Sequence, residues 1–229
     1  MSGRSLKSSV DLLIAAVLLV LLAPVILVVM ALIRLTSAGS PLYIQKRAGK
    51  GGRVFKIYKL RTMYHDCERA SGIRWATAND PRVTPLGRIL RKTHLDELPQ
   101  LWNVLRGDMS LVGPRPERPE IIAQLERKLP EYREREQMLP GVTGLAQVQL
   151  PPDSDLDGVR RKLAHDLYYL QNASLWLDAR IVLCTALKVF CIPSRLTCVV
   201  LGIPCVDADG AEASGLAPAR GARAGIQPA

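Results

Sequence analysis

The feature that most constrains the fold is an uninterrupted apolar stretch near the N-terminus. Residues 12–33 form 22 consecutive uncharged positions dominated by Leu, Val, Ile and Ala. As a straight helix they would extend about 33 Å at ~1.5 Å per residue, enough to cross a hydrocarbon core ~30 Å thick. The stretch is longer than the usual apolar region of a signal peptide, and no clear A-x-A cleavage site follows it. It therefore predicts a membrane anchor.

Basic residues on both sides of this stretch favour an anchor that returns to the face it entered. Arg4 and Lys7 precede the stretch and Arg34 follows it, whereas basic residues normally mark the cytoplasmic side of a membrane helix. Pro24 lies near the middle, where its ring disrupts regular helical hydrogen bonding. We therefore expect a re-entrant hairpin over residues 1–36, broken at Pro24. A plain single-pass helix is the alternative.

The charge distribution points to a membrane surface or a phosphorylated substrate. The formal net charge is +10, and residues 46–61 contain seven basic side chains and no acidic one. Net charge alone does not separate anionic lipids, nucleic acids and phosphorylated ligands, but this run closely follows the anchor and favours membrane lipids as a partner. Nucleic-acid binding is not expected, because neither a recognisable module nor aromatic residues interleaved with basic ones are present.

The cysteines predict neither a disulfide framework nor a zinc site. There are five, an odd number, and no two form a C-x-x-C pair. The last four recur every seven residues, which is typical of small apolar side chains on a helix face. A reducing cytoplasmic location is compatible with this pattern.

Beyond the anchor, the pattern predicts a mostly helical domain over residues 37–200 with a few short strands. Residues 54–60 alternate apolar and basic side chains, the period of a strand, and a glycine-rich turn precedes them. Residues 107–120 are too rich in Pro and Gly for a regular element, and the Ala-, Gly- and Pro-rich residues 204–229 predict a disordered tail. The remaining expectations are helices at 85–91, 98–105, 117–138, 156–171 and 174–191, a loop at 64–80, a turn at 140–144 and a strand at 145–150. The 174–191 helix is strongly apolar and is expected to be buried or to lie in the membrane interface.

The strongest chemical signal is an adjacent pair of carboxylates, Asp96 and Glu97, just before Pro99, which can begin a helix. A helix start stabilises anions. Adjacent side chains do not point the same way, so the two carboxylates should have separate roles. One can attack a phosphorus atom while the other holds Mg²⁺, which prefers carboxylate and phosphate oxygens.

Phosphoryl transfer also needs positive charge around the moving group. The candidates are Lys59, Arg61, Arg91 and Arg115, the last fixed between two prolines. Each signal has an ordinary alternative. A carboxylate pair is often a solvated helix start, arginines near an anchor often bind lipid headgroups, and Gly-Pro-Arg-Pro also forms a merely rigid turn.

Four separated blocks together resemble the bacterial sugar transferases, the small monotopic polyprenyl-phosphate hexose-1-phosphate transferases. They occur in the family's order and cover roughly residues 10–190. The blocks are LLAPVILVVMALIRLTSAGSPLYIQKRAGKGGRVFKIYKLRTM, DPRVTPLGRILRKTHLDELPQLWNVLRGDMSLVGPRPERPE, PGVTGLAQV and DLYYLQNASLWLDARIVL. The resemblance implies an α/β-associated monotopic membrane protein with a re-entrant helix and interfacial amphipathic helices. It also implies that the catalytic domain lies on the cytoplasmic face of the bacterial inner membrane.

The resemblance also implies a two-step reaction. Asp96 would be the nucleophile that takes a sugar phosphate from a UDP-sugar and releases UMP, and Glu97 would bind Mg²⁺. Polyprenyl (undecaprenyl) phosphate would then receive the sugar phosphate. The cations named above would surround the phosphates, and Asp166 would lie near the site.

Two positions depart from the family pattern. Ala23 replaces the serine that usually precedes the central proline and can bond freed backbone groups, which makes the re-entrant bend less secure. Leu139 replaces a residue that is often basic, which is expected to alter substrate contacts.

A non-enzymatic membrane scaffold with a basic face is the alternative function. The sequence leaves open the sugar, the polysaccharide pathway and the oligomeric state, including a homo-oligomer.

Overall fold

A computed structural model describes residues 2–67, 80–151, 155–189, 192, 194–204 and 206. As predicted, the chain is mostly helical with a few short strands. The helices are α1 (Ser2–Thr36), α2 (Pro85–Thr93), α3 (Gln100–Leu105), α4 (Pro119–Leu125), α5 (Leu145–Gln149), α6 (Leu156–Asn172), α7 (Leu175–Val189) and α8 (Ser194–Val200). The strands are β1 (Leu42–Ala48), β2 (Val54–Leu60), β3 (Ser110–Val112) and β4 (Gly141–Thr143). Most of the expected loop and tail, at 68–79 and 207–229, lies outside the described residues.

Helix α1 contains the predicted anchor. Its residues Leu6–Thr36 are long and apolar enough to cross a membrane, judged by length and composition. The helix is assigned as one element with Pro24 inside it. Much of its apolar surface is exposed, including Leu13, Val20 and Leu27. The predicted anchor segment is therefore helical, and its insertion in the membrane and re-entrant geometry stay predictions.

Both ends of α1 contact the rest of the protein. Near its start, Lys7 Nζ lies 2.7 Å from an oxygen of Asp178 on α7, and Asp11 accepts a hydrogen bond from Ser110 Oγ on β3 at 2.5 Å. Near its end, Ile33 is buried in a cluster with Leu60 and Leu90. The two flanks of the apolar segment thus lie against one folded unit.

The predicted strand at 54–60 is confirmed as β2, which pairs with β1 in an antiparallel hairpin. Successive side chains of a strand point to opposite faces, and here Phe55 and Ile57 are buried whereas Val54 and Lys56 are exposed. The connecting turn contains Gly51 at φ 64°, a conformation that glycine adopts without steric cost.

The buried cluster at the end of α1 joins the anchor to the hairpin and to α2. Val29 and Ile33 of α1 pack with Leu60 at the end of β2 and with Leu90 of α2. These contacts place the end of the anchor beside the segment that leads to the carboxylate pair.

Two predictions for the Gly- and Pro-rich segments are wrong in part. Residues 110–112 and 141–143 form the short parallel strands β3 and β4 rather than only an irregular segment and a turn. Gly141 explains why the sequence pattern hides this pairing. A Cβ at this position would lie 2.1 Å from the backbone nitrogen of Gly113, so glycine is needed for the close approach of the two segments.

The strand predicted at 145–150 is also wrong, since these residues form helix α5. Leu145, Ala146 and Val148 are all buried, and a short apolar run of this kind does not distinguish a buried strand from a buried helix. The other predicted helices are confirmed, with the 117–138 segment divided into α4 and a 3-10 stretch, Pro130–Gln137.

Two of the four cysteines that recur every seven residues lie on described helices, as that spacing predicts. Cys184 on α7 and Cys198 on α8 are buried, with their sulfur atoms 3.7 Å apart. Cys191 and Cys205 lie outside the described residues. Helices α7 and α8 also expose large apolar side chains, including Trp176 and Val200, in keeping with the expected interfacial position, which stays a prediction.

Candidate active site

The carboxylate pair lies on a short 3-10 turn, Leu95–Glu97, between α2 and α3. Helix α2 ends because His94 adopts a left-handed conformation at φ 56°, and its N–H caps the carbonyl groups of Leu90 and Arg91. The chain therefore turns sharply before Asp96 and Glu97, and α3 begins at Gln100.

Glu97 is held between two cations from different elements. Its Oε1 accepts hydrogen bonds from Lys59 Nζ at 2.9 Å and from Arg115 Nη2 at 2.6 Å. Burial disfavours a charge here, but Arg115 and Lys59 outweigh it and hold the pKa of Glu97 well below its usual range. Glu97 is therefore a carboxylate at neutral pH and a fixed negative charge in the site.

Asp96 has the opposite shift although it is the adjacent residue. Its side chain is buried, with the residue 8% exposed. Burial raises the pKa of Asp96 to about 6, with a further contribution from the charge on Glu97. Positive charge on Lys59, Arg115 and Arg91 opposes part of that rise. The two carboxylates thus differ in pKa, in keeping with separate chemical roles.

Backbone contacts fix the segment that carries Arg115. The carbonyl of Pro114 accepts from the N–H of Gly141, and the carbonyl of Pro116 accepts from Arg47 on β1. Arg47 also pairs with Glu117 at 2.7 Å. With a proline on each side, Arg115 has little backbone freedom, so its guanidinium is directed to Glu97.

The other predicted cations lie in two different places. Arg91 on α2 donates to Thr62 and is close enough to lower the pKa of Asp96. Arg61 is directed elsewhere, because its guanidinium donates to the backbone carbonyls of Ser37 and Ala38 just after α1. The structure therefore brings together Lys59, Arg91 and Arg115 with the carboxylate pair. Arg61 instead binds the backbone just after α1.

Asp166 is buried on α6 and pairs with Arg135, whose Nη2 lies 2.7 Å from Asp166 Oδ2. Arg135 in turn donates to the backbone carbonyl of Arg115 at 2.8 Å. Asp166 is thus linked to the site through Arg135. Sequence analysis missed Arg135, because it lies in a run of charged residues in which no pattern separates it from Arg133.

The carboxylates are compatible with Mg²⁺ as the sequence predicts it. Among the described residues, no group of three or more His, Cys, Asp or Glu side chains could hold a metal ion. Mg²⁺ typically needs only one or two protein carboxylates and takes its other ligands from water and substrate phosphates. Glu97 is ionised and suits this role once a phosphate ligand also binds Lys59 and Arg115, the two cations that now neutralise its charge.

Comparison with known proteins decides the family. A sequence model described as bacterial sugar transferase matches residues 2–191. The chain belongs to this family. The transferase is 46% identical over 193 residues to a UDP-glucose:undecaprenyl-phosphate glucose-1-phosphate transferase of Caulobacter vibrioides, covering 83% of this chain and 70% of the relative. The expectation of a transferase is thus confirmed at the level of the family.

Two further relatives differ in how much of their own length this chain covers. One is a UDP-N-acetylgalactosamine-undecaprenyl-phosphate N-acetylgalactosaminephosphotransferase of Aeromonas hydrophila, 45% identical over 77% of this transferase and 42% of the relative. The chain therefore spans less than half the length of that protein. The other is the exopolysaccharide production protein PSS of Rhizobium leguminosarum bv. phaseoli, 43% identical over 80% of this chain and 94% of its own length.

Proposed function

We propose that this transferase moves a sugar 1-phosphate from a UDP-sugar to undecaprenyl phosphate at the cytoplasmic face of the inner membrane. The observation that carries the proposal is the paired arrangement of Asp96 and Glu97. One is buried with a raised pKa, and the other is ionised between Lys59 and Arg115. Such a pair supplies a nucleophile and a charged binding group side by side.

In the first step, an oxygen of Asp96 attacks the phosphorus that bears the sugar. A bond forms between that oxygen and the phosphorus, the bond to the bridging oxygen breaks, and UMP leaves with the bridging oxygen. In the second step, a phosphate oxygen of undecaprenyl phosphate attacks the same phosphorus. The product is undecaprenyl diphosphate-sugar, and the Asp96 carboxylate is regenerated.

The surrounding cations stabilise the charge that moves during these steps. Lys59 and Arg115 form ion pairs with Glu97, and their side chains can reorient to bind the diphosphate of the donor. Arg91 lies near Asp96. Arginine suits this task because its planar donors bind two oxygens at once. Glu97 would hold Mg²⁺, which neutralises phosphate charge when bound.

The membrane arrangement is part of the proposal. A re-entrant α1 would enter and leave one leaflet, so both its ends would lie on the side of the catalytic domain. The contacts of Lys7 with Asp178 near its start, and of Arg61 with Ser37 just after its end, support this arrangement. A straight spanning helix would separate these contacts by the thickness of the bilayer.

The direct test is UMP release by the full chain in membranes supplied with undecaprenyl phosphate and Mg²⁺. UDP-glucose and UDP-N-acetylgalactosamine are the first donors to compare, because the names of two relatives include these nucleotide sugars. We expect UMP release with at least one UDP-sugar, and none from an Asp96→Asn control. Absence of release with every donor would favour the scaffold function instead.

A further inference from the structure

Arg135 occupies a central position behind the site. It lies on the 3-10 stretch Pro130–Gln137, and its side chain is 11% exposed. Its Nη2 lies near Asp166 Oδ2 and donates to the carbonyl of Arg115, while its Nη1 donates to the hydroxyl of Tyr132 at 2.5 Å. One guanidinium thus connects three separate parts of the chain.

We propose that Arg135, held by Asp166, is a positioning residue that sets the Arg115 guanidinium for the donor diphosphate. This inference rests on the proposed function. It assigns Asp166 a role through Arg135 rather than a direct contact with phosphate. Arg135 itself contacts the backbone of Arg115, so it acts on the reaction only by placing that residue.

The geometry explains why an arginine is needed at this position. A guanidinium is planar and carries donors in a fixed fork, so it can reach the carbonyl of Arg115 and the Tyr132 hydroxyl at the same time. A lysine ammonium can pair with Asp166, but it lacks this fork. Truncation would also leave the buried Asp166 carboxylate without the cation it faces.

Arg135 acts on Arg115 itself because the residues on either side of Arg115 are held by other contacts. Gly141 binds the carbonyl of Pro114, and Arg47 binds the carbonyl of Pro116. The carbonyl of Arg115 lies between them and is bound by Arg135. Without that bond, Arg115, whose side chain contacts Glu97, loses the hydrogen bond to its own carbonyl.

Arg133 offers a matched control two residues away on the same stretch. Its side chain is exposed and pairs with Glu126 at 2.7 Å, away from Arg115. Replacing it removes the same charge from the same segment without affecting the contacts of Arg135.

The experiment is a double-mutant cycle on the full chain in lipid nanodiscs, with UDP binding measured by calorimetry in the presence of Mg²⁺. We expect Arg115→Ala and Arg135→Ala each to weaken UDP binding about tenfold, and the double variant to bind no more weakly than Arg115→Ala alone. Arg135→Lys should recover only part of the loss, and Arg133→Ala should bind like the wild type. Thermal melting identifies any variant that fails to fold, and Arg135→Lys then replaces Arg135→Ala in the cycle.

If the loss of UDP affinity in the double variant equals the product of the losses in the two single variants, Arg135 acts independently of Arg115 and the inference is overturned. Wild-type binding by Arg115→Ala, or by both Arg135 variants, would also overturn it. A wild-type protein that binds UDP but releases no UMP from any UDP-sugar would contradict the proposed reaction, while the binding cycle would still decide the role of Arg135.

Discussion

Asp96 and Glu97 are chemically similar neighbours whose surroundings shift their pKa values in opposite directions. Glu97 lies against Lys59 and Arg115, so its charge is stabilised despite burial. Asp96 is buried beside that charge, so its own ionisation is disfavoured. Opposite pKa shifts in one pair are a pattern that assigns different chemical roles to two carboxyl groups.

The raised pKa of Asp96 predicts an acid limit on the first half-reaction. The attacking group is the carboxylate, and the pKa is raised to about 6, so protonation removes the nucleophile as the pH falls through that value. We expect the single-turnover rate of UMP release to be constant above about pH 7 and to fall toward tenfold per unit below about pH 5.

Rapid-quench measurements at donor concentrations well below saturation, without acceptor, would provide this profile for the ligand-free protein. Thermal melting at each pH is the control for loss of fold. A rate that stays constant from pH 7 down to pH 4.5 would show that the titration of Asp96 does not limit attack.

At the scale of elements, one buried amide connects the two segments that carry Lys59 and Glu97. Asn103 of α3 is fully buried. Its Nδ2 donates to the carbonyl of Lys56, and its Oδ1 accepts from the N–H of Tyr58. Both partners belong to β2 and lie just before Lys59. Asn103 thus fixes the position of β2 relative to the carboxylate turn.

Asn103→Leu should therefore destabilise the protein. The replacement has a similar size but leaves one N–H and one carbonyl of β2 without their partner, so we expect a loss of about 2–4 kcal/mol in the free energy of unfolding. Denaturant unfolding monitored by tryptophan fluorescence measures it. The control is Asn172→Leu, at an exposed position on α6, which should change stability by about 0.5 kcal/mol or less. Equal effects at the two positions would contradict the role given to Asn103.

Helix α2 depends on a close backbone approach. A Cβ on Gly87 would lie 2.0 Å from the carbonyl oxygen of Thr62, which no side-chain rotation relieves. Gly87→Ala should move α2, which carries Arg91, and cost about 2–3 kcal/mol in the free energy of unfolding. Arg88→Ala, on the exposed side of the same helix, is the matched control and should be nearly neutral. Unchanged stability in Gly87→Ala would show that α2 and the Thr62 segment separate without cost.

The sequence predicted those elements whose own residues determine them. β2 alternates buried and exposed side chains, and α2 begins with Pro85, so local pattern was sufficient for both. β3 and β4 are three residues each and depend on backbone pairing between distant segments, which no local pattern reveals. The strand predicted over residues 145–150 was wrong because a short buried helix has the same composition.

The same division applies to the site. Chemistry and motif order predicted the carboxylate pair and its cations, and the structure brings Lys59, Arg91 and Arg115 to that pair. Arg61 is indistinguishable from them in sequence, yet its side chain binds the chain just after α1. Such assignments depend on tertiary contacts that residue type and spacing do not specify.

At the scale of the whole molecule, the contacts at both ends of α1 predict the topology of the anchor. A cysteine introduced at Ser9 and one introduced at Ala38 should both be labelled by an impermeant maleimide only after spheroplasts are permeabilised. The reason is that both positions lie against or beside the catalytic domain, which the proposal places in the cytoplasm.

Labelling is compared with the parent chain, so that its native cysteines are subtracted. Labelling of one position in intact spheroplasts and of the other only after permeabilisation would indicate a single spanning helix. That result would reject the re-entrant arrangement without affecting the assignment of the carboxylate pair.

The most direct test of the central claim is the mass of the full chain after incubation with a UDP-sugar and Mg²⁺ in the absence of undecaprenyl phosphate. We expect an increase equal to one sugar phosphate, located on Asp96 by peptide fragmentation, released when the acceptor is added, and absent from Asp96→Asn. An adduct on another residue, or full turnover by Asp96→Asn, would contradict Asp96 as the nucleophile.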